Sequence, residues 1–157
     1  MADIRIKNEN GSSVLVAGPS GSGKTYRTMQ FIIYKDYIFT NPKCMQRVLF
    51  YYNVETDLFK GFKHYENIEW INEYPSSLDY IKEVGNQYKD KGGCCVIIDD
   101  FASQLTPQIE RLFTVYAHHK NITVFLLVQN LFFGSKTWQR SISLNCQHTL
   151  IFPNYRD

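Results

Sequence analysis

The sequence contains no apolar run long enough to cross a membrane. Its longest apolar runs, such as Val124–Val128, have the length of a β-strand, whereas a membrane-spanning helix needs ~20 apolar residues. The first residues also lack the apolar stretch of a secretion signal. We therefore expect an intracellular protein with no membrane partner.

Cysteine and charge imbalance are also scarce. The cysteines form no CxxC pair, which argues against a zinc site or a disulfide framework and favours buried free thiols at Cys44, Cys94, Cys95 and Cys146. The 17 basic and 15 acidic residues leave a formal net charge of +2, and 44% of the residues are hydrophobic. This composition excludes intrinsic disorder. The length fits one domain, and we expect residues 1–157 to form a single domain.

Acidic residues are absent from a long stretch near the end of the chain. Between Arg111 and Arg156 there is no aspartate or glutamate, while Lys120, Lys136, Arg140 and three histidines occur there. Such a one-sided stretch could face phosphate groups. It could equally arise by chance in a region rich in buried strands, so the charge distribution leaves both interpretations open.

Short apolar segments alternate with helical patterns along the chain. Helices are predicted over Thr25–Tyr37, from Pro75 to Tyr88 and from Pro107 to Tyr116. The predicted strands are Ser13–Ala17, Arg47–Tyr52, Ile68–Ile71, Cys94–Ile98, Ile122–Val128 and Thr149–Phe152. Strands without polar alternation are buried on both faces, as in a parallel sheet covered by helices. The predicted class is therefore α/β, with a mostly parallel central sheet flanked by helices.

A phosphate-binding motif follows the first predicted strand. Residues 18–25 read GPSGSGKT and match GxxxxGK[ST] at every fixed position. Gly21 and Gly23 permit backbone angles that let successive N–H groups converge on phosphate oxygens. Lys24 supplies a positive charge for the β- and γ-phosphates, and Thr25 a hydroxyl for Mg²⁺. We predict that ATP is bound by Gly18, Pro19, Ser20, Gly21, Ser22, Gly23, Lys24, Thr25 and Tyr26.

Polar side chains follow two further predicted strands. Asp99 and Asp100 end the segment CCVIIDD, and Gln129 follows Ile122–Val128. We predict that Asp99 holds Mg²⁺ with Thr25 and that Asp100 activates the attacking water, the alternative being that Asp100 caps the next segment. Ligands of open α/β sheets bind at the carboxyl ends of the strands. Gln129 is therefore expected to contact the γ-phosphate or the lytic water, unless it merely ends its strand.

Four segments together resemble the genome-packaging ATPases of the FtsK–HerA superfamily. They are GPSGSGKT, CCVIIDD, HHKNITVFLLVQNLF and RSISLNC. The nearest group is the A32-like packaging ATPases of large DNA viruses and of Polinton-like and adintovirus-like elements. The resemblance implies a RecA-like P-loop NTPase domain that assembles into a ring of five or six copies. Such a ring would move double-stranded DNA, without sequence preference, into a capsid in an infected host cell or at the virion, with a capsid or portal-vertex protein as partner.

The resemblance also implies a role for each site residue. Lys24 would bind phosphate, Thr25 and Asp99 Mg²⁺, Asp100 would be the catalytic acid and Gln129 the sensor of the γ-phosphate. Members of the superfamily complete the site with an arginine from the neighbouring subunit. Arg140 is the first candidate, because a planar guanidinium suits a γ-phosphate better than an ammonium does. The other candidates are Arg111, Lys120 and Arg156.

Two other functions are compatible with a phosphate loop. A small nucleotide or metabolite kinase would transfer phosphate to an acceptor, although the sequence contains no arginine-rich lid. A nucleotide-gated assembly module would bind ATP with little turnover, and Asp100 would then be only a cap.

Overall fold

The computed structural model describes residues 4–101, 104, 106–131 and 136–153. Six strands form one sheet in the order β3-β2-β4-β5-β1-β6, and every neighbouring pair is parallel. The strands are β1 (Ser12–Ala17), β2 (Val48–Tyr52), β3 (Ile68–Ile71), β4 (Cys94–Asp99), β5 (Ile122–Val128) and β6 (His148–Ile151). The predicted α/β class with a parallel sheet is confirmed, and each predicted strand lies within one residue of an observed one.

Helices cover both faces of this sheet. They are α1 (Lys24–Ile33), α2 (Lys35–Ile38), α3 (Asp57–Lys60), α4 (Asp79–Tyr88), α5 (Pro107–Arg111), α6 (Ala117–His119) and α7 (Lys136–Asn145). A π-helical stretch joins α5 to α6, so that the chain is helical from Pro107 to His119, and 3-10 turns span Pro42–Gln46 and Lys89–Lys91. None of the helices in the described part of the chain is long and apolar enough to span a membrane.

Two predicted helices differ from the structure. The prediction of one continuous helix over Thr25–Tyr37 is wrong, because the helix is interrupted at Tyr34, whose φ and ψ are −96° and 29°. After this break the chain turns inward and fully buries Phe39, whose ring packs edge-on against that of Phe125. The helix expected from Pro75 begins only at Asp79, whose backbone N–H is bonded to the Ser77 hydroxyl.

Apolar side chains from alternate strand positions form two core layers, one on each face of the sheet. In β4, Val96 and Ile98 contribute to the layer beneath α4 and α5, whereas Ile97 contributes to the layer beneath α1. The strands β1, β2, β4 and β5 are buried along almost their whole length, which requires a core layer on each face of the sheet. The edge strands β3 and β6 are only partly covered.

The cysteines are free thiols, but the prediction that all four are buried is wrong for Cys146. Cys44, Cys94 and Cys95 are buried, and Cys146 is partly exposed. Burial raises the pKa of Cys44 to about 11 and that of Cys94 to about 12. These buried thiols remain protonated at neutral pH and behave as small apolar side chains.

Candidate functional site

The strand order gathers the sequence motifs at the carboxyl edge of the sheet. β5 lies between β1, which leads into the phosphate loop, and β4, which ends in the two aspartates. Asp99 is paired with Leu127 of β5, and Ala17 with Val128. Beyond these pairs, the backbone N–H of Gly18 donates to the carbonyl oxygen of Val128 at 3.1 Å. The loop, the aspartates and Gln129 are therefore at one level of the sheet.

These residues surround a cavity of about 320 Å³. Its wall includes five residues that were predicted to bind the metal or to act on the phosphates: Lys24, Thr25, Asp99, Asp100 and Gln129. The other lining residues are Ser20, Gly21, Gly23, Tyr26, Val54, Thr56, Leu58, Leu127 and Val128. Of the predicted ATP-binding residues, Gly18 and Pro19 line an adjoining cavity, and Ser22 lines neither.

The glycines of the loop are required for two different physical reasons. Gly23 has a φ of +91°, and a Cβ there would meet no atom within 4 Å, so the requirement is conformational. Gly18 is required for space. A Cβ at this position would lie 2.6 Å from Cβ of Phe152 and 2.9 Å from Oγ of Ser22.

Lys24 begins α1 and is buried against the loop. Its Nζ donates to the carbonyl oxygens of Gly18 at 2.6 Å and Pro19 at 3.0 Å. Burial lowers the pKa of Lys24, and the nearby charges of Asp99 and Asp100 partly oppose this. The residue that precedes α1 is Gly23, which has no side chain to cap the helix. The positive end of the helix and the ammonium group therefore both favour an anion at this point.

Thr25 and Asp99 form an oxygen-rich pair beside the loop. Thr25 Oγ1 donates to Oδ2 of Asp99 at 3.0 Å. Burial raises the pKa of Asp99 to about 6, against the lowering effect of this hydrogen bond and of Lys24. The hydroxyl and the carboxylate are hard oxygen ligands of the kind that Mg²⁺ prefers, and Mg²⁺ commonly takes its remaining ligands from water and phosphate. The pair therefore fits Mg²⁺. The described residues contain no group of three or more metal-binding side chains, so a metal here would depend on such further ligands.

Asp100 and Gln129 are in contact at the mouth of the cavity. Gln129 Nε2 donates to Oδ1 of Asp100 at 3.3 Å. Asp100 has a φ of +63°, which is uncommon for a residue other than glycine. The segment that Asp100 was alternatively expected to cap, residues 101–103, lies partly outside the described residues.

Sequence reasoning missed the contribution of the chain that follows β2. Asn53 Nδ2 donates to the carbonyl oxygen of Asp100 at 3.3 Å, and Val54, Thr56 and Leu58 line the cavity. A signal was available, since Asn53 follows Tyr52 just as Gln129 follows Val128. Both are amides at the carboxyl end of a buried strand, but only Gln129 was identified.

Three of the four candidates for an arginine finger lie in the described part of the chain, and none of these three lines the cavity around Lys24. Arg140 is an exposed residue of α7. Arg111 lines a separate cavity with Ser77 and Lys82, and Lys120 lines another. Arg156 lies outside the described residues. Within the described part of the chain, the cavity around Lys24 is lined by no arginine.

A second cavity, of about 480 Å³, adjoins the other side of the loop. It shares Ser20 and Gln129 with the first cavity, and its apolar wall comprises Leu131, Ile151 and Phe152. The phosphate loop therefore borders two compartments, one that contains the aspartates and a somewhat more apolar one beside β6.

Comparisons with known proteins identify the fold. No protein-family model and no curated protein matches the chain. The genome packaging NTPase B204 from Sulfolobus turreted icosahedral virus 2, in complex with ATP-gammaS, is similar with a TM-score of 0.61 and 15% identity, over 94% of this chain and 76% of that one. The AMPPCP complex of the same NTPase has a TM-score of 0.58 at 15% identity, over 94% and 77%.

The N-terminal domain of zonular occludens toxin from Neisseria meningitidis is also similar. Its TM-score is 0.50 at 14% identity, over 93% of this chain and 79% of that one. Two of the solved structures to which the chain is similar are thus complexes of a viral genome packaging NTPase. At such low identity the likeness establishes the fold, and the RecA-like P-loop NTPase fold implied by the sequence resemblance is confirmed.

Proposed function

We propose that this protein is an ATPase that packages a viral or virus-like genome, moving double-stranded DNA into a capsid by Mg²⁺-dependent ATP hydrolysis. The observation that carries the proposal is the convergence of Lys24, the Thr25–Asp99 pair and the Asp100–Gln129 pair on one cavity. The likeness to a viral genome packaging NTPase solved with ATP-gammaS supports it.

Binding of the triphosphate would depend on the loop and on Lys24. The Lys24 ammonium, which now donates to the carbonyl oxygens of Gly18 and Pro19, would exchange them for β- and γ-phosphate oxygens. Thr25 and Asp99 would hold Mg²⁺, which when bound neutralises negative charge on the phosphates.

Hydrolysis would depend on the second pair. The Asp100 carboxylate would accept a proton from the attacking water, and the Gln129 amide would orient that water or the γ-phosphate. Because Gln129 already donates to Asp100, one side chain would contact both the base and the reacting group. Catalysis in such a site is mainly positioning and charge stabilisation.

The apolar compartment beside β6 would accept the nucleoside. It begins at Gly18–Ser20 of the same loop, and Phe152 and Leu131 supply apolar surface. A nucleotide spanning both compartments would place its phosphates beside the aspartates and its base against Phe152.

Ring assembly and DNA contact form the remaining part of the proposal. Four large apolar or aromatic side chains are exposed in α1, at the break that follows it and in α2: Tyr26, Ile33, Tyr34 and Tyr37. Apolar surface of this kind favours a protein contact, and a neighbouring copy could then supply Arg140 as the finger.

Arg111, Lys120 and Arg140 are exposed in the stretch without acidic residues, which suits phosphate contacts with DNA.

The test is steady-state ATP hydrolysis with and without long double-stranded DNA, at low and moderate salt. Wild-type protein is compared with Lys24→Ala and with Lys43→Ala, a control that removes an exposed lysine from the 3-10 turn of residues 42–46. We expect DNA to stimulate wild-type and Lys43→Ala turnover, and the stimulation to weaken as salt rises. Lys24→Ala should lose ~10²-fold or more in turnover, because the positive charge that stabilises the transferred phosphate is missing.

Two other results would replace the proposal. ATP binding without turnover would favour a nucleotide-gated assembly module. Transfer of phosphate to a small acceptor, with no response to DNA, would favour a kinase.

A further inference from the structure

Amide side chains follow the strands on either side of Asp100. Asn53 comes directly after β2 and Gln129 directly after β5, and these strands flank β4. Asn53 Nδ2 donates to the backbone carbonyl of Asp100, and Gln129 Nε2 donates to its carboxylate, both at 3.3 Å. One amide therefore holds the main chain of Asp100, and the other holds its side chain.

The main chain of Asp100 needs such support. Its φ of +63° lies in the left-handed region, which an aspartate tolerates but does not favour. Since φ sets the direction of the Cα–Cβ bond, this conformation also decides where the carboxylate points. The register pairs Tyr52 with Asp99, and one residue further on Asn53 comes level with Asp100.

Asn53 is itself held from the next strand. Asn72 follows β3, and its amide group faces the carbonyl oxygens of Asn53 and Tyr52. Because a carbonyl oxygen only accepts hydrogen bonds, the amide nitrogen is assigned to the side that faces them, 3.2 Å from the oxygen of Asn53 and 3.1 Å from that of Tyr52. A chain of amide contacts thus runs from β3 across β2 to the end of β4.

We propose that Asn53 is a positioning residue for Asp100: its amide fixes the backbone that aims the Asp100 carboxylate into the cavity. The inference rests on the proposed function, in which that carboxylate accepts a proton from the attacking water. Asn53 acts through Asp100 and not on the nucleotide. The segment just after it, however, lines the cavity with Val54, Thr56 and Leu58, so the support of Asp100 adjoins the proposed nucleotide site.

The first test separates turnover from binding. Asn53→Ala should lower kcat about tenfold, since a small misplacement of a reacting group can cost up to ~10²-fold. The KM for ATP and the affinity for a fluorescent ATP analogue should stay within about twofold, because Asn53 does not bind the phosphates. Asn53→Leu, which keeps the branching of the side chain without its donor, should behave alike.

Asn67→Ala is the matched control. Asn67 Nδ2 donates to the carbonyl oxygen of Met45 at 2.7 Å, just before β3 and β2 begin. The substitution removes a comparable amide-to-carbonyl bond at the opposite edge of the sheet. We expect some loss of stability and an unchanged kcat.

The second test asks whether Asn53 acts through Asp100. In an Asp100→Asn background, Asn53→Ala should have no further effect on kcat, within about twofold, because the carboxylate that it positions is already gone. A full additional tenfold loss in that background would mean that Asn53 acts elsewhere, and the proposal would be wrong.

The third test reads the backbone of Asp100 directly by NMR. The HN–Hα coupling and the Cα and Cβ shifts of Asp100 should have left-handed values in the wild type and lose them in Asn53→Ala, but not in Asn67→Ala. Unchanged values for Asp100, or an unchanged kcat in an active enzyme, overturn the inference. An inactive wild type would refute the proposed function alone, since the NMR comparison still decides the role of Asn53.

Discussion

The two edges of the sheet each contain a non-glycine residue in the left-handed backbone region, and the two residues differ in their surroundings. Asn121, with a φ of +56°, precedes β5 at the amino edge. Its carbonyl oxygen accepts the N–H of Cys94 at 3.2 Å, and a Cβ on Gly93 would come within 1.9 Å of that oxygen. Asp100, with a φ of +63°, directly follows β4 at the carboxyl edge and lines the cavity.

The comparison teaches that the same backbone feature can serve packing or chemistry. At Asn121 the turn lets two chain segments approach closely, and no part of the polar cavity is near. At Asp100 the turn directs a carboxylate towards the site of Lys24, where two acidic side chains are neighbours in sequence. An unusual φ alone therefore does not identify a functional residue; the groups around it do.

Asp100→Asn should sharpen this contrast most. It keeps the size of the side chain and its tolerance for a left-handed φ but removes the base. We expect kcat for ATP hydrolysis to fall by ~10²–10⁴-fold, with ATP affinity retained because Lys24 and the loop are intact. Turnover by rapid product assay and affinity with a fluorescent nucleotide measure the two quantities. A kcat close to the wild-type value would mean that Asp100 is not the base and only caps the segment that follows it.

Asp99→Asn tests whether the buried carboxylate at the carboxyl edge of the sheet lowers the free energy of unfolding. The folded-state pKa of Asp99 is about 6, above the usual 3.8, chiefly because of burial. Ionised Asp99 therefore destabilises the folded protein above pH ~6, and the cost disappears below pH ~4. The rise of the pKa from 3.8 to about 6 already includes the attraction to Lys24. At ~1.4 kcal/mol per pKa unit, the variant should therefore gain ~2–3 kcal/mol.

The measurement is chemical unfolding without Mg²⁺ at pH 7.5 and at pH 4.5. The gain should be present at the higher pH and smaller at the lower one, and Mg²⁺-dependent hydrolysis should be lost. A variant that is less stable than the wild type at pH 7.5 would mean that the Thr25–Asp99 hydrogen bond outweighs the burial of the charge.

The sequence predicts the sheet better than it predicts the helices. The central strands are largely apolar runs that are buried on both faces, as in Cys94–Ile98, so pattern alone locates them. The break at Tyr34 is different, because it depends on the burial of Phe39 beside Phe125. That contact joins residues far apart in the chain, and local helical periodicity contains no trace of it.

The candidate site divides in the same way. Lys24, Thr25 and Asp99 follow from a motif of fixed spacing, and the structure brings all three to the cavity. Asn53 lies outside any motif, and its contact with Asp100 requires β2 and β4 to be neighbours. Chain order does not contain that fact, since β3 lies between them in sequence. A search for amides after every buried strand would have found the residue but not its partner.

Asn121→Gly should produce the smallest effect and can break the comparison. Glycine adopts a φ of +56° freely, which favours the folded state. It also raises the conformational entropy of the unfolded chain and removes the weak hydrogen bond from Asn121 Nδ2 to the carbonyl oxygen of Lys89 at 3.4 Å. These effects oppose one another, so the free energy of unfolding should change by less than ~1 kcal/mol. The kcat for ATP hydrolysis should not change, because the amino edge is remote from the cavity. A severalfold loss of kcat with stability intact would show that the left-handed residues at both edges affect turnover, and the division between packing and chemistry would fail.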